Sequence, residues 1–165
     1  TDDKAAVVAL DADLVLHAAS KAFPDNTNSD DIVALLESGK DVITTTSYNH
    51  LATFSPEIAG RVGAACRVAG TRFHAAGEHP GFMFERLATT LTALSARVDR
   101  ITVQELVDCR AISAKVMLVD LMGMGKRPDE ISTESAMFRA VSVQYEQAIA
   151  ATAEVRSPRP STTAS

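Results

Sequence analysis

Thiols are scarce in this chain: Cys66 and Cys109 are the only cysteines among 165 residues. They form no CxxC pair and have no histidine nearby at metal-ligand spacing, so neither a dithiol redox motif nor a metal finger is encoded. Reduced thiols in a cytoplasmic protein are the expectation, with Cys66 sharing the core face of a helix with Ile58 and Val62. Positive charge is short as well. Sixteen Lys and Arg against 21 Asp and Glu leave a net charge of −5. No basic patch exists to grip a phosphate backbone, which excludes nucleic acid as a partner. No apolar run approaches the ~20 residues that a membrane helix requires. The opening Thr1-Asp2-Asp3-Lys4 lacks the charged and apolar regions of a signal peptide, and a first residue of Thr1 reads as processed or cut.

Phosphate-holding loops are missing too. No GxGxxG follows a strand-like run. Gly123-Met124-Gly125-Lys126-Arg127-Pro128 imitates half of one but ends in proline, and the GxxxxGK[ST] spacing of a Walker loop is absent. This stretch reads as a tight turn. No Ser/His/Asp order and no paired carboxylates at helical spacing argue for hydrolysis.

What is present is a globular composition, 46% hydrophobic and 22% charged, at the length of one ordinary domain. Three strand-like runs alternate with helical patterns. Ala12 to Ser20 is a short apolar run of the kind buried on both faces of a parallel sheet. Ser29 caps a helix carrying Ile32, Val33, Leu35 and Leu36 that stops at Gly39. Asp41 to Ser47 is β-branched. Ser55-Pro56-Glu57 starts a helix that runs to about Gly70. Arg72 to Gly77 supplies the third strand. This βαβαβ order predicts a parallel sheet with right-handed crossovers.

Beyond Gly81 the pattern changes. Leu87, Leu91, Leu94 and Val98 fall on one helical stripe. Ile101 to Glu105 alternates as a strand with one solvated face does. Lys115 to Met122 is apolar and of either type. Phe138, Val141, Tyr145 and Ile149 mark a final amphipathic helix, and from Arg156 the tail has no periodicity.

Parallel sheets bind ligands at the carboxyl ends of their strands, and three such ends carry candidates here. After the first strand, Ala19 and Ser20 are small enough to let a flat ligand approach the backbone. After the second, Thr45 and Thr46 offer hydroxyls to a polar ring edge, although β-propensity alone also accounts for threonines at this point. Tyr48, Asn49 and His50 follow as substrate contacts. After the third strand comes Gly77-Glu78-His79-Pro80-Gly81-Phe82, a stiff elbow. Its Pro80 fixes the backbone, and its Gly81 permits a positive φ or a close approach. His79 has the acidity to move a proton near neutrality, and Glu78 can stabilise an iminium. The competing reading of the elbow is a rigid linker with exposed polar residues.

Taken in order, Asp13-Leu14-Val15-Leu16, Gly39-Lys40-Asp41-Val42-Ile43-Thr44-Thr45, Gly77 to Phe82, Val107-Asp108-Cys109 and Leu121-Met122-Gly123-Met124-Gly125 resemble the dihydrodipicolinate reductase superfamily. The closer resemblance is to its 2,4-diaminopentanoate dehydrogenase and amine dehydrogenase-like branch, whose G-x-N-P-G-F the elbow is similar to. Where the amine dehydrogenases carry a glutamate after the Thr-Thr pair, this chain has Ser47-Tyr48-Asn49-His50. The resemblance implies an NAD or NADP cofactor and hydride transfer at a C=N or C=O carbon. In that frame Ala19, Ser20, Thr45 and Thr46 face the nicotinamide. His79 and Glu78 are catalytic with Tyr48, and Asn49, His50, Pro80, Gly81 and Phe82 line the substrate cleft. No metal is implied.

The expected architecture is α/β: a partial Rossmann-like parallel sheet followed by part of an α+β substrate and oligomerisation domain. Residues 1–80 would form the back half of the cofactor domain, 81–152 the second segment, and 153–165 a disordered tail. The pyrophosphate-binding half would lie upstream, and unpaired strand edges favour a homo-oligomer. The rival expectation is a non-catalytic α/β module for oligomerisation or ligand sensing.

Overall fold

Three short strands adjacent in sequence become neighbours in space, because each is returned to its partner by a helix. A computed structural model describes residues 3–19, 27–106, 108–113, 115–121 and 123–156. Strands β1 (Leu14–His17), β2 (Asp41–Thr44) and β3 (Phe73–Ala75) pair in the order β1-β2-β3, all parallel. The fold is α/β, as the alternation predicts. Register places Val15, Val42 and Phe73 in one row and His17, Thr44 and Ala75 in the next, so these side chains share one face.

That face is the core. Helix α2 (Thr27–Glu37) buries Ile32, Leu35 and Leu36, and, after the single turn α3 (Leu51–Phe54), α4 (Pro56–Ala69) buries Ile58, Val62 and Ala65, both at the spacing of one helical stripe. With Val42 and Tyr48 they form the central cluster, against which Val15, Phe54, Cys66 and Phe73 pack. The signals for α4 act as read: Ser55 accepts from the Ile58 amide at 3.3 Å, Pro56 occupies the first turn, and Gly70 closes the helix at φ 71°. A short α1 (Lys4–Val8) lays Val7 and Val8 on the same core. Lys40 is only 5% exposed, and its Nζ donates to the Val8 carbonyl at 2.8 Å, which ties α1 to the start of β2.

The opposite face corrects the first expectation. The run from Ala12 to Ser20 is not a strand buried on both sides: β1 spans four residues at the sheet edge, and Leu16 is 73% exposed beside a half-exposed Leu14. Helices cover one face only, so the two leucines and Ile43 are left on the other. Ser29 is likewise not a cap. It lies inside α2, fully buried, and hydrogen-bonds the Tyr48 hydroxyl.

After β3 the chain runs through a π-helical segment (Met83–Ala88), α5 (Thr89–Leu91) and a 3-10 turn ending at Leu94. The stripe of Leu87, Leu91 and Leu94 is exposed rather than packed, and Val98 lies outside the helix. Ile101 to Glu105 has no regular structure and pairs with no strand among the described residues, so the predicted strand is absent there. Alternation alone cannot make a strand without a partner edge. The undecided apolar stretch forms a π-helical segment over Val116–Leu121, and Gly123 and Gly125 take positive φ in the turn that follows.

The last helix, α6 (Ala136–Arg156), exists as predicted but buries a different face and reaches further. Phe138, Tyr145 and Ile149 are exposed, whereas Gln147 and Ala148 are completely buried. Residues 153–156 are helical rather than part of a tail, and residues 157–165 lie outside those described.

Gln147 explains the choice of face. Its Oε1 accepts from the His50 amide at 3.0 Å, and its Nε2 donates to the Ser47 carbonyl at 3.1 Å. Two core tests follow from this packing. Leu36→Ala is expected to cost about 2–5 kcal/mol of unfolding free energy and Leu16→Ala less than about 0.5 kcal/mol, read from urea unfolding. Gln147→Ala leaves a buried amide and a buried carbonyl without partners. It should destabilise by about 1–3 kcal/mol and speed amide exchange in α6 more than in the sheet.

Candidate functional site

The carboxyl ends of the three strands lead into one polar region. Past β2, the Thr45 amide continues the ladder to the His17 carbonyl at 3.0 Å; past β3, the Ala76 amide does the same to Thr44 at 2.8 Å. The elbow follows. Its His79-Pro80 peptide is cis, Gly81 sits at φ 131°, and the Glu78 carbonyl accepts from the Phe82 and Met83 amides, which opens the π-helical segment. A Cβ on Gly77 would lie 2.6 Å from the Pro80 carbonyl oxygen, and one on Gly81 would lie 2.7 Å from the Gly77 nitrogen. Only glycine fits at these two points.

His79 is held on three sides. Its Nε2 lies 3.1 Å from Glu105 Oε2. Its ring packs against Phe84 at 4.6 Å and Tyr145 at 5.1 Å between centroids. Its Nδ1 is buried without a hydrogen-bond partner. Glu78 is exposed beside it. His79, Glu78 and Glu105 line a cleft of about 510 Å³ together with Phe84, Val103 and Asp108. The Asp108 carboxylate is already engaged by Arg110. One carboxylate, that of Glu105, therefore lies within ion-pair distance of the imidazole, and that of Glu78 lines the same cleft.

The remaining candidates separate. Thr45 and Ala19 are exposed at neighbouring strand ends, and Ser20 lies outside the described residues. Thr46 is buried, its hydroxyl 2.6 Å from that of Thr44, which in turn meets His17 Nδ1 at 2.9 Å. Tyr48 is in the core, edge-on to Phe54 with ring centroids 5.1 Å apart. Burial raises its pKa above the ordinary value, and the Ser29 hydrogen bond offsets this only in part. His50 is spoken for by structure: Nδ1 pairs with Thr53 at 2.7 Å and Nε2 with Glu154 at 3.0 Å. Pro80 and Gly81 are buried within the elbow, and Phe82 is 47% exposed.

Asn49 is the exception. It joins Gly81, His74 and Arg86 around a second pocket of about 250 Å³, where Glu85 also lies. Glu85 Oε2 accepts from the Gly81 amide at 3.0 Å, and Arg86 meets His74 Nε2 at 2.7 Å.

Sequence reasoning missed Glu85 and Glu105. Glu85 had a local signal, an acid in the first turn of the helix after the elbow. Glu105 had none, since its contact with His79 spans a segment without regular structure.

Compared with protein-family models, with curated proteins and with solved structures, the chain gives no significant match. No helix among the described residues is long and apolar enough to cross a membrane.

The buried hydroxyl chain has a titratable end. Burial holds His17 below its ordinary pKa of 6.5, against the opposing charge of Asp31. The folded state then binds a proton less readily than the unfolded one. Stability from this group is complete above pH 6.5 and is lost as the pH falls from there through the lower folded value. Urea midpoints at pH 7.5 and 5.5 should differ more in the natural chain than in His17→Asn.

Proposed function

We propose that this chain is part of an NAD(P)-dependent oxidoreductase, resembling the dihydrodipicolinate reductase superfamily, that moves hydride to or from a C=N or C=O carbon. The observation that carries the reading is His79: an imidazole on the elbow after β3, clamped by Glu105 and two rings, at the wall of an acidic cleft. A partial Rossmann-like sheet would present Ala19 and Thr45 to the nicotinamide. When bound, the reduced nicotinamide supplies the hydride. His79 then gives a proton to the nitrogen or oxygen of the reduced bond, and Glu105 holds its ring in place. Glu78 favours an iminium over a neutral imine through its charge. Thr46, Tyr48 and His50 enter this reading as supports of the sheet end, since their polar groups are engaged internally.

The substrate is a small molecule, the assembly a homo-oligomer using the open β1 edge, and the location cytoplasmic, where nicotinamide cofactors and free thiols coexist. The inward-turned hydroxyls of Thr46 and Tyr48 favour the second reading, a non-catalytic α/β module for oligomerisation or ligand sensing.

Fluorescence titration with NADPH and NADH distinguishes the two. Saturable micromolar binding by the natural chain, kept in His79→Gln at equal melting temperature, favours the enzyme and means that the chain holds a phosphate site of its own. His79→Gln should then slow cofactor oxidation by a panel of small imines and ketones by about 10²–10⁴-fold. A folded chain that binds neither cofactor leaves two readings, a reductase piece whose pyrophosphate-binding half lies upstream and the module. An in-frame strand-GxGxxG-helix in the upstream coding sequence decides for the first, and its absence there for the second.

A further inference from the structure

The pocket on the other side of the elbow carries a separate chemistry. Glu85 is 9% exposed, and its Oε1 is buried without a hydrogen-bond partner; Asn49 Oδ1 is in the same condition. Both residues border the same pocket. Both also meet at Gly81: Glu85 takes the Gly81 amide, while Asn49 Oδ1 lies 3.0 Å from the point a Gly81 Cβ would occupy. The Gly77 carbonyl oxygen lies 2.9 Å from that same point. The elbow thus gathers a carboxylate oxygen, an amide oxygen and a main-chain oxygen.

A buried carboxylate ordinarily requires a counter-charge. Among the described residues no lysine, arginine or histidine forms an ion pair with Glu85. Its neighbour Arg86 points its guanidinium at His74 instead. No group of three or more His, Cys, Asp or Glu side chains is placed to hold a metal among the described residues. That removes the donor set of a transition metal and leaves an all-oxygen set, which suits a hard cation or an ammonium group.

We infer that the elbow is a binding site for one compact cation, held by Glu85 Oε1 and Asn49 Oδ1 against the Gly77–Gly81 backbone. The occupant is a small hard metal ion or the ammonium group of a ligand; the chemistry the site reads is the same. The inference stands apart from hydride transfer, because it uses neither His79 nor a cofactor. It gives the elbow a structural role as well. A bound cation fixes the turn that aims His79 into the neighbouring cleft.

Thermal unfolding of the whole chain tests it. The chlorides of sodium, potassium, calcium, magnesium and methylammonium are each titrated against tetramethylammonium chloride at matched ionic strength. A saturable rise in melting temperature with at least one compact cation is expected. A metal response identifies a resident ion, and a response to methylammonium alone identifies the amine of a ligand. Glu85→Gln keeps an acceptor for the Gly81 amide, so it should fold, match or exceed the natural chain in tetramethylammonium, and show no cation response. Should Glu85→Gln fail to fold, Asn49→Ala serves, with a half-saturating concentration raised about tenfold. The inference is overturned if every compact cation behaves as tetramethylammonium does, the result for an uncharged Glu85 sharing its own proton. It is also overturned if the response survives in Glu85→Gln, or, where that variant does not fold, is unchanged in Asn49→Ala.

Discussion

One side chain ties the last helix to the turn after β2. Gln147 is completely buried in α6, and its amide faces the backbone of the turn after β2, accepting from one peptide group and donating to another. The contacts span 97 and 100 residues. A primary amide satisfies a donor and an acceptor at once, which neither an apolar side chain nor a carboxylate would do. The loop from Ser47 to His50 therefore needs no second strand to complete its hydrogen bonds, because the helix supplies them. His50 adds its ring to Glu154 one helical stretch later. With α6 so anchored, Tyr145 falls against His79, and the cleft wall inherits its geometry from a contact made elsewhere.

The elbow depends on the same arrangement from the other side. The turn after β2 places Asn49 against Gly81, and the turn after β3 places His79 against α6. The two pockets share this backbone but not their chemistry. One has an imidazole paired with the Glu105 carboxylate; the other has oxygen acceptors around a glycine cradle. Crowding explains how they stay distinct. Gly77 and Gly81 lie so close that no side chain can separate them, so the segment behaves as a wall.

The sheet and its helices were legible because their signals are local. Ser55, Pro56 and Gly70 bound α4 where the sequence places them, and the helical stripes of Ile32, Leu35 and Leu36 and of Ile58, Val62 and Cys66 point to the core. Three things were not legible, each for a non-local reason. The exposure of Leu14 and Leu16 depends on helices falling on one side of the sheet, which strand composition does not encode. The stripe of Phe138, Tyr145 and Ile149 looks like a buried face, but α6 docks onto peptide groups and so turns Gln147 inward instead. Ile101 to Glu105 has a strand's alternation and no strand beside it. Of the site, the elbow and His79 could be read directly and Glu85 had a first-turn signal, whereas Glu105 and Tyr145, which hold His79, come from segments whose approach no spacing rule supplies.

The order β1-β2-β3 has a bearing on how the molecule forms. Each strand pairs with the one before it, across α2 in the first step and across α3 and α4 in the second, so every step of sheet assembly closes a short loop at modest entropic cost. On a ribosome this unit can be complete while the last helix is still being made. The turn after β2 must then wait, its peptide groups hydrated, until Gln147 arrives from a hundred residues downstream. Growth of the sheet and completion of the cleft are thus separate events in time, and the later one waits for the helix that sets Tyr145 against His79.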